Sequence, residues 1–141
     1  MDRFFAANAE LSKFSRNYMT LKKGLPIRPS EMGVLNILAA TDGPHTPVML
    51  SELLGVSKPM VTAYLTALSD KGYITKVQSQ EDRRVYHVLP TAKAMQLVES
   101  AREDTNDNLS YLASALGQEE FDHLVELAQR ANMALEARQN K

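Results

Sequence analysis

The chain has 141 residues, of which 44% are hydrophobic and 23% charged, and its formal net charge is −1. It contains no cysteine, which excludes disulfides, thiolate metal sites and thiol-based redox sensing. No apolar run approaches the roughly 18 residues of a membrane span, and the N-terminus lacks a signal pattern, so we expect a cytoplasmic protein with no membrane partner.

The first two predicted elements are helices. Residues 2–23 place apolar side chains three and four positions apart, which is the period of a helix with one apolar face, and Gly24 and Pro26 end the run. The segment "IRPSEMGVLNILAA" predicts a second helix, with Ser30 as its N-cap.

Two shorter helices are predicted next, each with its own start and stop signals. The third follows the cap Thr46, has proline at its first position and ends before Gly55. The fourth covers residues 57–71, with Ser57 as its cap and Gly72 at its end. Both therefore begin and end at residues whose chemistry suits those positions.

A hairpin and two long helices complete the chain. The runs "YITKVQ" and "VYHVL" are rich in β-branched and aromatic residues, and polar "SQEDRR" lies between them. From Thr91 the helical period returns and continues, past Gly117, to residue 138. The predicted fold class is therefore mainly α with a small β-hairpin.

Residues 51–65 have the spacing of a helix-turn-helix. Ser51 is small enough for two helices to cross, Gly55 suits the tight turn, and Val61 and Leu65 anchor the second helix. Such a unit presents the N-terminal half of its second helix to the DNA major groove, although two packed helices would show a similar pattern. The candidate DNA-binding residues on this helix are Ser57, Lys58, Pro59, Met60, Thr62, Ala63 and Thr66.

The hairpin directly after these helices favours a winged helix. In that arrangement the loop between the strands reaches the minor groove, where arginine is favoured because a narrow groove concentrates negative potential. We expect Arg83 or Arg84 to be the inserted cation and Asp82 to pair with a neighbouring arginine. The alternative is a solvated hairpin tip with exposed ion pairs of little energetic weight. Further candidate DNA contacts are Lys71, Lys76 and Arg28.

Two stretches carry a family resemblance. "EDRRVYHVLPT" and "LSELLGVSKPMVTAYLTALSDKGYI" resemble the wing signature and the helix-turn-helix of the MarR family of bacterial transcription regulators. The resemblance implies Asp82 and Arg84 as the wing pair, helix 57–71 as the recognition helix, and Thr91 as a helix cap. The chain departs from the family pattern at Ala63, where an arginine is usual.

The resemblance also implies an organisation and a function. Residues 1–29 and 91–141 would be dimerisation helices, and residues 30–90 the winged-helix DNA-binding region. We expect a homodimeric, sequence-specific regulator, a repressor, that binds palindromic double-stranded DNA and is released by a small aromatic or phenolic effector. Because helix 57–71 is poor in cations, an alternative is a protein-interaction module on the same scaffold with weak or no DNA binding.

Other kinds of site receive less support. Phe14, Tyr18, Met32 and Leu35 are candidate ligand-binding residues, although their ordinary role is in a core. His45, expected in a turn, is far in sequence from the other two histidines, so we expect no metal site and no cofactor. The chain has neither a glycine-rich phosphate loop nor a nucleophile elbow, so we do not expect an enzyme.

Overall fold

The computed structural model describes residues 2–22 and 24–139, which form six helices and one antiparallel hairpin. The elements are α1 (Arg3–Thr20), α2 (Pro29–Ala40), α3 (Pro47–Leu54), α4 (Lys58–Asp70), β1 (Ile74–Gln78), β2 (Tyr86–Pro90), α5 (Ala92–Leu116) and α6 (Gln118–Gln139). This order confirms the predicted fold class. In the part of the chain described, no helix combines the length and hydropathy that crossing a bilayer requires.

The two central helices begin as predicted. Thr46 Oγ1 accepts a hydrogen bond from the backbone N–H of Met49 at 3.2 Å, and Ser57 Oγ accepts one from Met60 at 3.4 Å. Each helix has a proline in its first turn, where the missing N–H costs nothing. These caps fix where α3 and α4 start.

Two helix boundaries differ from the prediction. α1 ends at Thr20 because the N–H groups of Leu21 and Lys22 turn to carbonyls three residues back, which tightens the last turn. Lys23, included in the predicted helix, lies outside the described residues. Ser30 is not the cap of α2: the cap is Arg28, whose backbone N–H donates to Glu31 Oε1 at 3.1 Å, since the following proline takes the first helical position.

The core joins α2, α3 and α4 to the hairpin. The largest side chains in it that are fully buried are Val34, Leu35, Leu50, Val61, Leu65, Leu68 and Val88. β1 and β2 pair from Ile74 opposite Pro90 to Gln78 opposite Tyr86. His45 is not a turn residue, because its carbonyl accepts the N–H of Val88 at 2.8 Å and extends the hairpin by one bridge.

The chain divides into one compact unit up to Arg102 and a second from Glu103. The core above belongs to the first unit, which also contains α1. α1 itself contributes no buried residue over its described length. The described part of the second unit, the C-terminal end of α5 together with α6, likewise has no buried residue. Each unit therefore carries helices with exposed apolar side chains.

Candidate nucleic-acid interface

One face of α4 packs against the hydrophobic core, and the opposite face is exposed. Val61, Leu65 and Leu68 are fully buried on its inner side. Lys58, Thr62 and Thr66 follow one another four positions apart and are all exposed, so they form one row on the outer side. Pro59, Met60 and Ala63 are exposed beside this row. The core thus fixes which residues of α4 face outward.

The turn before α4 has the geometry of a helix-turn-helix. Gly55 has φ +69°, and its N–H and that of Val56 both donate to the carbonyl of Ser51, at 2.9 and 3.1 Å. The Ser51 hydroxyl is itself satisfied by donating to the carbonyl of Val48 at 2.7 Å. Ser51 can therefore sit buried at the helix crossing without an unpaired polar group.

The loop between the strands, residues 79–85, is ordered by its own hydrogen bonds. Ser79 Oγ accepts from the N–H groups of Glu81 and Asp82, at 3.2 and 3.4 Å. Gln78 Nε2 donates to the carbonyl of Arg83 at 2.7 Å. These bonds hold the loop backbone in one shape at the end of the hairpin.

Within this loop Asp82 binds Arg84 through three contacts. Asp82 Oδ1 accepts from the backbone N–H and from Nε of Arg84, both at 3.1 Å, and Oδ2 accepts from Nη2 at 3.2 Å. These bonds lower the pKa of the Asp82 carboxyl below its ordinary value. The guanidinium hydrogen bonds have the largest effect, and the bond from the backbone N–H has the next largest. The Arg84 side chain stays 90% exposed, so it is oriented by the carboxylate yet open to a partner.

The other cationic residues predicted to contact DNA differ in whether they already have a partner within the chain. Arg83 is exposed and forms no ion pair with any residue that the structure describes. Lys71 Nζ lies 3.7 Å from Glu31 Oε1, and Lys76 Nζ lies 5.2 Å from the ring centre of Tyr86. Arg28 is exposed at the start of α2. Lys71, at the end of α4, thus already has a structural partner.

These features are those of a winged helix-turn-helix. One face of α4 packs on the core and the other is exposed, a glycine turn precedes it, and an oriented arginine lies on the loop of the hairpin. The model of the MarR family matches residues 24–85, which contain all three features. Over these residues the chain is similar to the MarR family.

Solved structures agree with this fold over nearly the whole chain. FabT of Streptococcus pneumoniae, solved in complex with DNA, has a TM-score of 0.81 and 24% identity, and the match covers 95% of this chain and 98% of FabT. The repressor CouR, bound to a 23-mer DNA duplex, gives 0.76 at 22% identity over 94% and 92% of the two chains. The regulator Tm0710 of Thermotoga maritima gives 0.60 at 25% identity, covering 99% of each.

The matched family consists of transcriptional regulators and not of enzymes. The residues described here include no group of histidine and acidic side chains that could hold a metal ion. The candidate site consists of the outer face of α4 and the loop 79–85.

The candidate ligand residues lie in two different surroundings. Phe14 and Tyr18 stack on α1 with ring centres 6.1 Å apart, and Phe14 is 45% exposed. Met32 and Leu35 are core residues, and Leu35 is fully buried. A ligand could reach Leu35 only through a change in packing, so the α1 pair is the better starting point for a search.

Two contacts near the site were not predicted from the sequence, and only one of them has a local sequence signal. Ser79, three positions before Asp82, has the spacing of a hydroxyl that caps a turn, and this signal was available. By contrast, Lys93 Nζ donates to the carbonyl of Lys71 at 2.6 Å across 22 positions, and local spacing could not indicate that bond.

Proposed function

We propose that the protein is a homodimeric regulator that binds palindromic double-stranded DNA, with α4 in the major groove and the loop 79–85 in the adjacent minor groove. One observation carries this proposal: the Arg84 guanidinium is bound in two-point fashion by Asp82 and still 90% exposed. An arginine oriented in advance loses less side-chain freedom when it enters a groove.

The minor groove is the favoured place for these arginines. A narrow minor groove has an enhanced negative potential that attracts arginine, and contacts there require no base-specific pattern. Arg83, which has no ion partner among the described residues, adds a second cation at the same tip. The loop would therefore supply affinity and orientation, while α4 reads the sequence.

A second copy of the chain completes the proposal. Two reading heads related by a two-fold axis match a palindrome with half-sites one helical turn apart. We assign dimerisation to residues 1–29 and 91–141 and DNA binding to residues 30–90. FabT and CouR were solved with DNA, and CouR is a repressor, which supports DNA binding and repression here. A regulator of this kind works in the cytoplasm, and an aromatic effector at Phe14 and Tyr18 would release it.

The test is selection of bound duplexes from a random pool, followed by affinity measurements on the selected operator. We expect a palindrome with half-sites about ten base pairs apart. Arg83→Ala and Arg84→Ala should each weaken binding about tenfold or more and, because each removes one cation from both subunits, reduce the dependence of log affinity on log salt by about two units. Arg138→Ala, which removes a cation from the end of α6, should change neither quantity.

Two results would contradict the proposal. Unchanged affinity of both wing variants would remove the loop from the interface. Selection that enriches no sequence, with no salt-dependent binding, would favour the protein-interaction module instead.

A further inference from the structure

The outer surface of α4 is short of charged hydrogen-bond donors. Along its whole described length Lys58 is the only cationic residue, and it stands in the first turn. Lys71, just past the helix, pairs with Glu31. Specific recognition of guanine relies on arginine or lysine donating to its O6 and N7 atoms. Beyond the first turn, α4 therefore offers no charged donor for guanine.

The N-terminal half of α4 does expose apolar side chains. Met60 is 46% exposed, and Pro59 and Ala63, four positions apart, are exposed on the same side of the helix. In the major groove the one apolar group on a base edge is the C5-methyl of thymine. An exposed apolar row in the N-terminal half of a reading helix is thus complementary to thymine.

Thr62 adds a methyl group to this surface. Its hydroxyl proton is not available to DNA, because it is already donated within the helix. Thr62 Oγ1 donates to the carbonyl of Lys58 at 3.0 Å. Toward DNA the side chain then presents its methyl group and an oxygen lone pair. The methyl suits thymine, and the lone pair suits the N6 amino group of the adenine paired with it.

Building on the proposed placement of α4 in the major groove, we infer that this protein reads its half-site through thymine methyl groups, contacted by Thr62 and Ala63, and not through charged contacts to guanine. Its preferred ligand is accordingly DNA with a thymine at the centre of each α4 footprint. Lys58 remains available for a phosphate or one flanking base.

The experiment replaces each thymine of the selected operator, one symmetric pair at a time, with deoxyuridine, which lacks only the methyl group. Loss of one buried methyl contact should weaken binding about fourfold, and about 16-fold for a symmetric pair. The loss should appear at one or two positions per half-site and be absent elsewhere.

A protein variant identifies the contacting residue. Thr62→Ser keeps the hydroxyl and removes the methyl, so at one position thymine and uracil should bind within about twofold of each other. Thr20→Ser is the matched control, because Thr20 Oγ1 makes the same kind of bond, to the carbonyl of Arg16 at 2.9 Å, on the exposed side of α1. It should keep the full preference for thymine.

The outcomes separate the two proposals. Normal operator binding with no loss at any deoxyuridine position would overturn this inference and leave the proposed function standing. Retention of the full thymine preference in Thr62→Ser would overturn the assignment to Thr62. Absence of binding to any duplex would overturn the proposed function, and this inference with it.

Discussion

Asp82 shows how a single carboxylate can shape a loop that is otherwise open to solvent. It accepts from both the backbone and the guanidinium of Arg84, so it fixes the turn and the direction of the side chain together. An exposed ion pair contributes little to global stability. Its value here lies in orientation, because the arginine is held in place before any partner arrives.

The pKa of Asp82 gives a direct test at this scale. Arg84→Gln removes the guanidinium, so the pKa of the Asp82 carboxyl, now below its ordinary value, should rise toward it. A carboxyl ¹³C titration by NMR measures this shift. Since the folded-state pKa is lowered, the pair stabilises the loop fully above the ordinary carboxyl pKa, and that contribution is lost as the pH falls through the lowered value.

The matched control is Arg83→Gln, since the Arg83 side chain makes no ion pair with Asp82 in the structure. In that variant the midpoint of Asp82 should stay where it is in the unaltered protein. An Asp82 midpoint that is the same with and without the Arg84 guanidinium would show that the pair does not form in solution.

Among the elements, the connection between α3 and α4 decides how the outer face of α4 is presented. It contains Gly55 in the left-handed region, followed by the cap Ser57. A residue with a Cβ is strained at that φ, even though nothing lies within 4 Å of where the Cβ would be. The turn is therefore set by backbone conformation and not by lack of space.

A pair of glycine substitutions tests this. Gly55→Ala should lower the free energy of unfolding by about 1–2 kcal/mol through strain at positive φ. Gly33→Ala, inside α2, should raise it by about 0.5–1 kcal/mol, because its Cβ would meet Leu54 at an ordinary 3.6 Å and alanine favours helix. Urea unfolding measures both. Equal effects of the two substitutions would mean that the turn is not held at the observed φ.

For the molecule as a whole, the notable feature is apolar surface on the terminal helices. Phe4 is 75% exposed and Leu11 69% on α1, while Tyr111 is 77% exposed on α5 and Met133 64% on α6. Large apolar patches on a monomer commonly mark an interface. In the proposed homodimer, a second copy of the chain would cover these side chains and would supply the symmetry that a palindrome needs.

Sedimentation at micromolar concentration provides the test at this scale. The unaltered chain should be a dimer, and Leu11→Glu should shift it toward monomer because a carboxylate would be buried in the interface. Leu53→Glu is the control, since Leu53 is also well exposed, at 58%, but lies on α3. It should leave the dimer intact. A monomeric unaltered chain would contradict the proposed symmetry.

Much of this architecture is determined by local sequence. Hydroxyl caps at Thr46 and Ser57, prolines in first turns and glycine at position 55 act within a few residues of themselves, so their effect is the same wherever the segment packs. The same holds for the pairing of Asp82 with Arg84, two positions apart, which the sequence already indicated.

Other features exist only because distant segments meet. The tertiary structure decides that Lys71 pairs with Glu31, that Lys93 binds the Lys71 carbonyl, and that His45 extends the hairpin through Val88. Each such contact depends on the register of one element against another, and that register is set by how the buried side chains of several elements fill one core. No local spacing contains that information. For this reason the sequence alone determined most helices and turns, while packing determined which polar groups stayed exposed on the surface.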